Sequence, residues 1–290
     1  MMEEIKDIIV CPKCRRNLIF DEKNIYCPEC NQSVYIKNRL LDFSNLSQKL
    51  PLNLSNYIQT ITEHAGQLMS DLEINWRVES VLNSVINNAH GSTCLEIGGA
   101  DGPMTPTLER MFGTTISLDY SKEFLKRIEA KTQKAICIFS DAHFLPIQDN
   151  TIDTIVCSEV LEHTTIPTQF LTELNRVIKK DGVIILSVPN ETRFTIRKKG
   201  ISKNIIAGNT HINFYTPETL QEILYRTGFD VVEIKGLLPS VHSLKGLIFN
   251  MLRFIYYGFY GSFILCTLKP MKHPWKYWDE FYNKINDTSS

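Results

Sequence analysis

From Ser92 onward, short apolar runs alternate with amphipathic segments. The runs Thr93–Ile97, Thr115–Leu118, Ala135–Phe139, Ile152–Cys157, Val183–Val188, Val231–Ile234 and Phe263–Leu268 have the length and flanks of buried strands. Between them, Thr105–Met111, Lys122–Ala130, Gln169–Ile178 and Pro217–Arg226 place apolar residues three and four positions apart, which predicts helices. Strand–helix alternation of this kind means an α/β fold, a mostly parallel sheet covered by helices on both faces. The first 45 residues follow a different pattern, with short β-like runs at Asn17–Phe20 and Ser33–Ile36. Residues 46–90 read as a helical connector, with apolar positions at Trp76, Val78, Val81, Leu82 and Val85. The predicted organisation is a small module over 1–45, the connector over 46–90, the α/β domain over 91–270 and an aromatic tail over 271–290.

Leu244–Phe259 is strongly apolar, but a membrane span needs about 18–20 uninterrupted apolar residues. Asn250, Arg253, Gly246 and Gly258 interrupt this one. It reads as a partly buried helix leading to the last strand, with peripheral membrane contact as the alternative. The N-terminus lacks the basic and apolar regions of a secretory signal, so a cytoplasmic location is expected.

A chain that is 43% hydrophobic and 22% charged, with net charge −1, suits a folded protein of ordinary surface. Near-neutrality lowers the prior for a nucleic-acid enzyme, whose affinity rests on phosphate contacts. Small-molecule or protein substrates are favoured.

In a reducing compartment disulfides are rare, so the eight cysteines need another reading. Cys11-Pro-Lys-Cys14 and Cys27-Pro-Glu-Cys30 are two C-x-x-C knuckles. Two such knuckles close a tetrahedral Cys₄ shell around Zn²⁺ with no open position, so the metal is expected to be structural. The box resembles the zinc-ribbon modules that precede or activate certain methyltransferases, one family of which modifies ribosomal RNA. Acidic and basic residues balance across this ribbon, which fits a lid, a stabiliser or a protein-docking surface at least as well as an RNA grip.

The first α/β strand ends in Glu96-Ile97-Gly98-Gly99-Ala100-Asp101-Gly102. Glycines at a strand-to-helix turn let backbone approach a ligand closely. The third glycine of a dinucleotide fingerprint is absent. Asp119 ends the second strand, where a carboxylate can accept both hydroxyls of a ribose. Asp141 ends the third, where one can take an exocyclic amine. Ser158-Glu159-Val160-Leu161-Glu162-His163 follows the fourth.

Together Glu96–Gly102, Leu118-Asp119-Tyr120-Ser121, Ser140-Asp141-Ala142, Ser158–His163, Phe214–Leu220 and Thr227-Gly228-Phe229 resemble the class I S-adenosylmethionine-dependent methyltransferases, in the branch that includes quinone-biosynthesis methylases. The resemblance spans about residues 75–270 and implies a Rossmann-like, seven-stranded sheet. It implies that Gly98 and Gly102, with Gly99 and Ala100 between them, bracket the methionine end. Asp119 would hold the ribose with Tyr120 beside it, and Asp141 the adenine amine with Ala142 beside it. Ser158 and Glu159 would flank the methionine by backbone contact, and Glu96 would orient the glycine turn. Ala100 stands where the family usually has glycine. His163 and His211 are the candidate bases, because imidazole titrates near neutrality; the alternative for each is a structural hydrogen bond. The expected activity is methyl transfer to oxygen, nitrogen or carbon of a small molecule. Two alternatives are an RNA methyltransferase docked through its ribbon and a cofactor-binding protein without chemistry.

Overall fold

Ten of the eleven residues in Thr93–Ile97 and Ile152–Cys157 are buried, whichever face of the strand they point to, so these strands lie inside a sheet covered on both faces. The computed structural model describes residues 5–21, 24–46, 71–190, 211–237, 248 and 263–272, with backbone alone for 71–75. In chain order the elements are β1 (Ile19–Phe20), β2 (Ile25–Cys27), β3 (Gln32–Lys37), β4 (Leu40–Asp42), α1 (Asp71–Asn88), β5 (Thr93–Ile97), α2 (Thr105–Met111), β6 (Thr114–Asp119), α3 (Lys122–Lys131), β7 (Ile136–Phe139) and β8 (Ile152–Ser158). A single 3₁₀ turn (Leu161–His163) follows, then α4 (Pro167–Val177), β9 (Ile178–Pro189), α5 (Pro217–Arg226), β10 (Phe229–Leu237) and β11 (Phe263–Pro270).

The strands form one sheet in the order β1-β2-β3-β4-β7-β6-β5-β8-β9-β11-β10. From β4 to β9 all neighbours are parallel; β11 runs antiparallel to β9, and β10 antiparallel to β11. The predicted α/β class holds. The expected seven strands are β5 to β11, but the sheet continues into four more. The N-terminal module joins it edge to edge through β4, with Leu40, Leu41 and Asp42 opposite Cys137, Ile138 and Phe139. Its apolar side chains, among them Ile9, Leu18, Ile25, Leu41 and Phe43, share one core with Leu95, Ile116, Ile138 and Ile155. A strand that would otherwise expose unpaired amides at β7 is thereby covered.

Two arginines of the module fasten it further. The Arg39 guanidinium donates to the carbonyls of Glu129, Thr132 and Ala135 and to the Thr132 hydroxyl, so it closes the C-terminal end of α3, where carbonyls lack helical partners. Arg15 donates to the Leu145 carbonyl at 2.7 Å and to the buried Glu173 carboxylate at 2.8 Å, which Arg176 also binds.

Two further differences from the sequence reading have physical causes. The part of the connector that is described, α1, places Val81 and Val85 in a core with Met104, Leu108, Val156, Ile185 and Phe263, so it is a covering helix of the sheet. β9 begins five residues before the apolar run, because Ile178 pairs with Ile152 while Lys179, Lys180 and Asp181 need no burial to belong to a ladder. The helices start where their caps permit: Ser121 accepts from the Phe124 N–H before α3, and Thr216 with Thr219 forms a capping box before α5. Apart from Ile248, the apolar segment 244–259 lies outside the described residues, as do most of the aromatic tail and the basic residues 193–203. Among the described residues no helix is long and apolar enough to cross a membrane.

Because module and sheet share one core, Phe43→Ala is expected to lower global stability by about 3–5 kcal/mol. Urea unfolding followed by fluorescence should keep a single transition; a module that melted alone, leaving the main transition in place, would contradict the shared core.

Candidate cofactor and acceptor site

The sheet changes direction at its centre. β6 and β7 lie on one side of β5, β8 and β9 on the other, so the loops leaving β5 and β8 diverge and open a crevice at their carboxyl ends. The glycine turn occupies this place. Gly98 has φ +70°, and a Cβ there would fall 2.3 Å from a Val160 methyl of the segment after β8. Only glycine allows that approach. Ala100 has φ +46°, the left-handed region that costs a residue with a Cβ about 1–2 kcal/mol.

Glu96 organises the turn from beneath. It is fully buried, and its Oε2 accepts from Thr105 Oγ1 at 2.6 Å and from Ser117 Oγ at 2.9 Å. It thus ties β5 to the start of α2 and to β6. Burial pushes its carboxyl above the usual range despite those two donors. Asp119, ending β6, accepts from the Ser121 N–H at 2.8 Å and from the Ala100 N–H at 3.3 Å. Burial of its carboxyl lifts its pKa to about 7, partly opposed by these backbone donors. The Ser140 N–H donates to the Asp119 carbonyl, which sets the end of β7 beside it.

Asp141 follows directly. Its Oδ1 accepts from the His143 backbone N–H at 2.9 Å and from His143 Nδ1 at 2.7 Å. His143 Nε2 accepts in turn from the Ile166 N–H at 3.3 Å, which turns Nδ1 toward Asp141. The other Asp141 oxygen is buried with no hydrogen-bond partner among the described residues, as is Ser140 Oγ. Buried acceptors without partners are costly, so this one fits a ligand donor. Beside it Tyr120 stacks on Phe139, with ring centroids 5.1 Å apart, and Lys122 lies over Phe139 while pairing with Asp42 of β4 at 2.6 Å. Ala142 packs against the main core.

On the other side of the crevice Ser158 Oγ lies 2.8 Å from Ser187 Oγ, and Glu159 has φ +57°. The Glu159 carboxylate accepts from Arg77 of α1 at 2.7 Å. His163 and His211 meet: their ring centroids are 4.9 Å apart, and both face the carboxylate of Glu162.

The structure therefore brings Gly98, Gly99, Ala100 and Gly102 together with Asp119, Tyr120, Asp141 and Ala142 along three adjoining strand ends. Ser158, Glu159 and the two histidines line the β8 side, joined to the glycine turn through Val160. The residues fit a nucleoside joined to an amino acid: a backbone cradle that a Cβ would fill, a carboxylate at ribose distance in the chain, and a buried acceptor beyond it. Sequence reasoning missed three residues. His143, left as an ordinary histidine, fixes Asp141 from two positions away. Arg77 comes from a helix remote in sequence. Glu162 is hidden in an apolar-looking turn, although the spacing Glu159-x-x-Glu162-His163 could have marked it.

Replacing Ala100 by glycine should raise stability in urea by up to about 1 kcal/mol, since it releases left-handed strain. A loss of stability instead would mean the alanine methyl makes a contact that matters more than the strain.

Residues 76–234, more than half of the chain, match the family model described as a methyltransferase domain. A Mycolicibacterium smegmatis protein named "Probable S-adenosylmethionine-dependent methyltransferase/" is 26% identical over 166 residues, 56% of this chain; the chain spans 61% of that relative's length. The ubiquinone biosynthesis O-methyltransferase of Rickettsia bellii is 25% identical over 211 residues, covering 70% of this chain and 80% of its own. A solved S-adenosylmethionine-dependent methyltransferase from Thermotoga maritima has the same fold, with a TM-score of 0.55 at 18% identity, over 73% of this chain and 99% of its own. With its sheet order, its glycine turn and these matches in agreement, the chain belongs to the methyltransferase-domain family of class I, S-adenosylmethionine-dependent fold.

Proposed function

We propose that the protein transfers a methyl group from S-adenosylmethionine to a small-molecule acceptor. The observation that carries this reading is the convergence of the Gly98 turn, Asp119 and Asp141 on adjoining strand ends at the point where the sheet reverses. Bound S-adenosylmethionine supplies an electrophilic methyl on a sulfonium that is its own leaving group. The protein's part is to align an acceptor, exclude water and handle one proton. Asp119 accepts from the ribose hydroxyls, the free Asp141 oxygen accepts from the adenine amine, and the Gly98–Gly102 backbone with Ser158 and Glu159 holds the amino-acid end. Val160 sets the Glu162-His163-His211 group beside that end, where an acceptor would enter. The two imidazoles are the groups able to hold the acceptor or take its proton.

In the same reading the Cys₄ set binds one structural Zn²⁺. Zn–S bonds of about 2.3 Å in a tetrahedron separate the sulfurs by about 3.8 Å. Cys11 and Cys30 stand 3.8 Å apart, and Cys14 and Cys27 3.4 Å. Arg15 and Asn31, each directly after a knuckle, both take positive φ, +62° and +50°, so the two turns repeat one geometry. The balanced charge of the module favours a structural part over an RNA grip. A cytoplasmic location belongs to the same proposal.

Four outcomes test this. Asp119→Ala should weaken S-adenosylmethionine binding in calorimetry by roughly 10- to 100-fold, the range of a lost hydrogen bond to a charged group. Because ribose donors favour the ionised carboxyl, binding releases a proton from a group that titrates near 7, so affinity should tighten as pH rises from 6 to 8. Metal analysis should find about one zinc per chain, falling to near zero in Cys14→Ser. Methyl-labelled cofactor incubated with fractionated extract should label a small-molecule fraction; label in RNA would replace that acceptor class.

A further inference from the structure

Asp141 stands in the connection between β7 and β8, outside any helix or strand. A segment of that kind keeps one geometry only where its backbone groups find partners. The methyltransferase domain fixes its first part: the Phe144 N–H donates to the Asp141 carbonyl, and Gln169 Nε2 of α4 donates to the His143 carbonyl at 3.2 Å. The N-terminal module grips the remainder. The Gln148 N–H donates to the Ile8 carbonyl at 2.7 Å and the Val10 N–H to the Pro146 carbonyl at 3.1 Å, with Ile9 and Ile147 bridged between them. Ahead of Asp141, the Phe43 N–H donates to the Phe139 carbonyl at 3.0 Å. The carboxylate is thus bracketed by module contacts on both sides in sequence.

One side chain joins this grip to the first cysteine knuckle. Arg15 directly follows Cys14; its N–H donates to the Cys11 carbonyl at 2.9 Å, and its φ is +62°. Its guanidinium reaches the loop, where Nη1 donates to the Leu145 carbonyl at 2.7 Å and Nη2 to Glu173 Oε2 at 2.8 Å. The same Glu173 oxygen accepts from the Leu145 N–H at 2.8 Å. Leu145 is therefore held at both of its backbone groups by one set of charge-assisted bonds. Arg176 meets the same carbonyl and carboxylate from α4, so Arg15 closes the clamp from the module's side.

We propose that Arg15 is a positioning residue for the cofactor: it sets the Asp141 loop so that the open carboxylate oxygen meets the purine 6-amino group, and it thereby makes the site select adenine over a 6-oxo purine. That oxygen is buried and has no hydrogen-bond partner among the described residues, so it depends on one donor being in place. A 6-oxo purine offers an acceptor at this point and gains nothing from the loop's position. The selectivity rests on the proposed role of Asp141 toward adenine; the clamp does not.

The test titrates the full chain in calorimetry with S-adenosylhomocysteine and with S-inosylhomocysteine, which differ in the purine 6-substituent. The unaltered protein should prefer the adenosyl compound by about tenfold or more. Arg15→Ala should shrink that preference by about threefold to tenfold, through weaker adenosyl binding with inosyl binding as it was. Arg16→Ala, which removes the same charge from the exposed next residue, should leave the preference alone. In ligand-free Arg15→Ala, amide hydrogen exchange should quicken over Phe144–Gln148 and stay as it is in β5 and β9. If Arg15→Ala does not fold, Arg15→Lys decides, since it keeps the charge but lacks the fork. An unchanged preference, or an equal loss of affinity for both compounds, overturns the proposal. If Asp141→Ala leaves the preference intact, the adenine reading alone fails; loop exchange then decides, and no change there overturns the clamp.

Discussion

Everything at the site depends on the parallel ladder between β5 and β8. Among the described strands, β5 leads on to one side of this ladder and β8 to the other, so their outgoing loops diverge and leave room for a ligand. Backbone then has to fill the gap without closing it. On one side the turn is drawn down by Glu96, whose buried oxygen holds Thr105 and Ser117 at once. On the other, Glu159 is turned into the left-handed region and its carboxylate is taken by Arg77. Residues in the left-handed region, Ala100 and Glu159, stand in the segments that leave β5 and β8. Each carries a cost that the well-packed strands behind it absorb.

The polar groups are graded along the same edge. Asp119 is held partly by backbone donors in a setting that resists ionisation, whereas Asp141 has one oxygen fully engaged by His143 and one without a partner. His143, bonded through both ring nitrogens, keeps that second oxygen aimed. Specificity for a nucleoside would therefore come less from the number of contacts than from the fact that each unmet group needs one particular donor.

Much of the architecture was legible in the sequence because its strands are buried on both faces. Thr93–Ile97, Thr105–Met111 and Pro217–Arg226 were readable to the residue, since periodicity and caps agree there. The glycine turn, Asp119 and Asp141 were readable because each ends an apolar run, where a parallel sheet collects its ligands. What stayed hidden depends on contacts between distant segments. Nothing local tells that Leu40–Asp42 will pair with β7, that Arg39 will close α3, or that Arg77 will reach Glu159. Lys179–Asp181 belong to a strand although they are polar, because pairing and not burial places them there. The nearness of His211 to Glu162 is likewise a product of main-chain bonds made 50 residues away in sequence.

The edge pairing of β4 with β7 has a consequence for the life of the molecule. The module that carries the four thiols seals the sheet edge, and Asp42 at the end of its β4 meets Phe139 and Lys122. Loss of the module's order would uncover the amides of β7 and take Asp42 away from Lys122 in a single event. A disturbance of the module would thus reach the end of β7, next to Asp141, without touching a residue of the crevice itself.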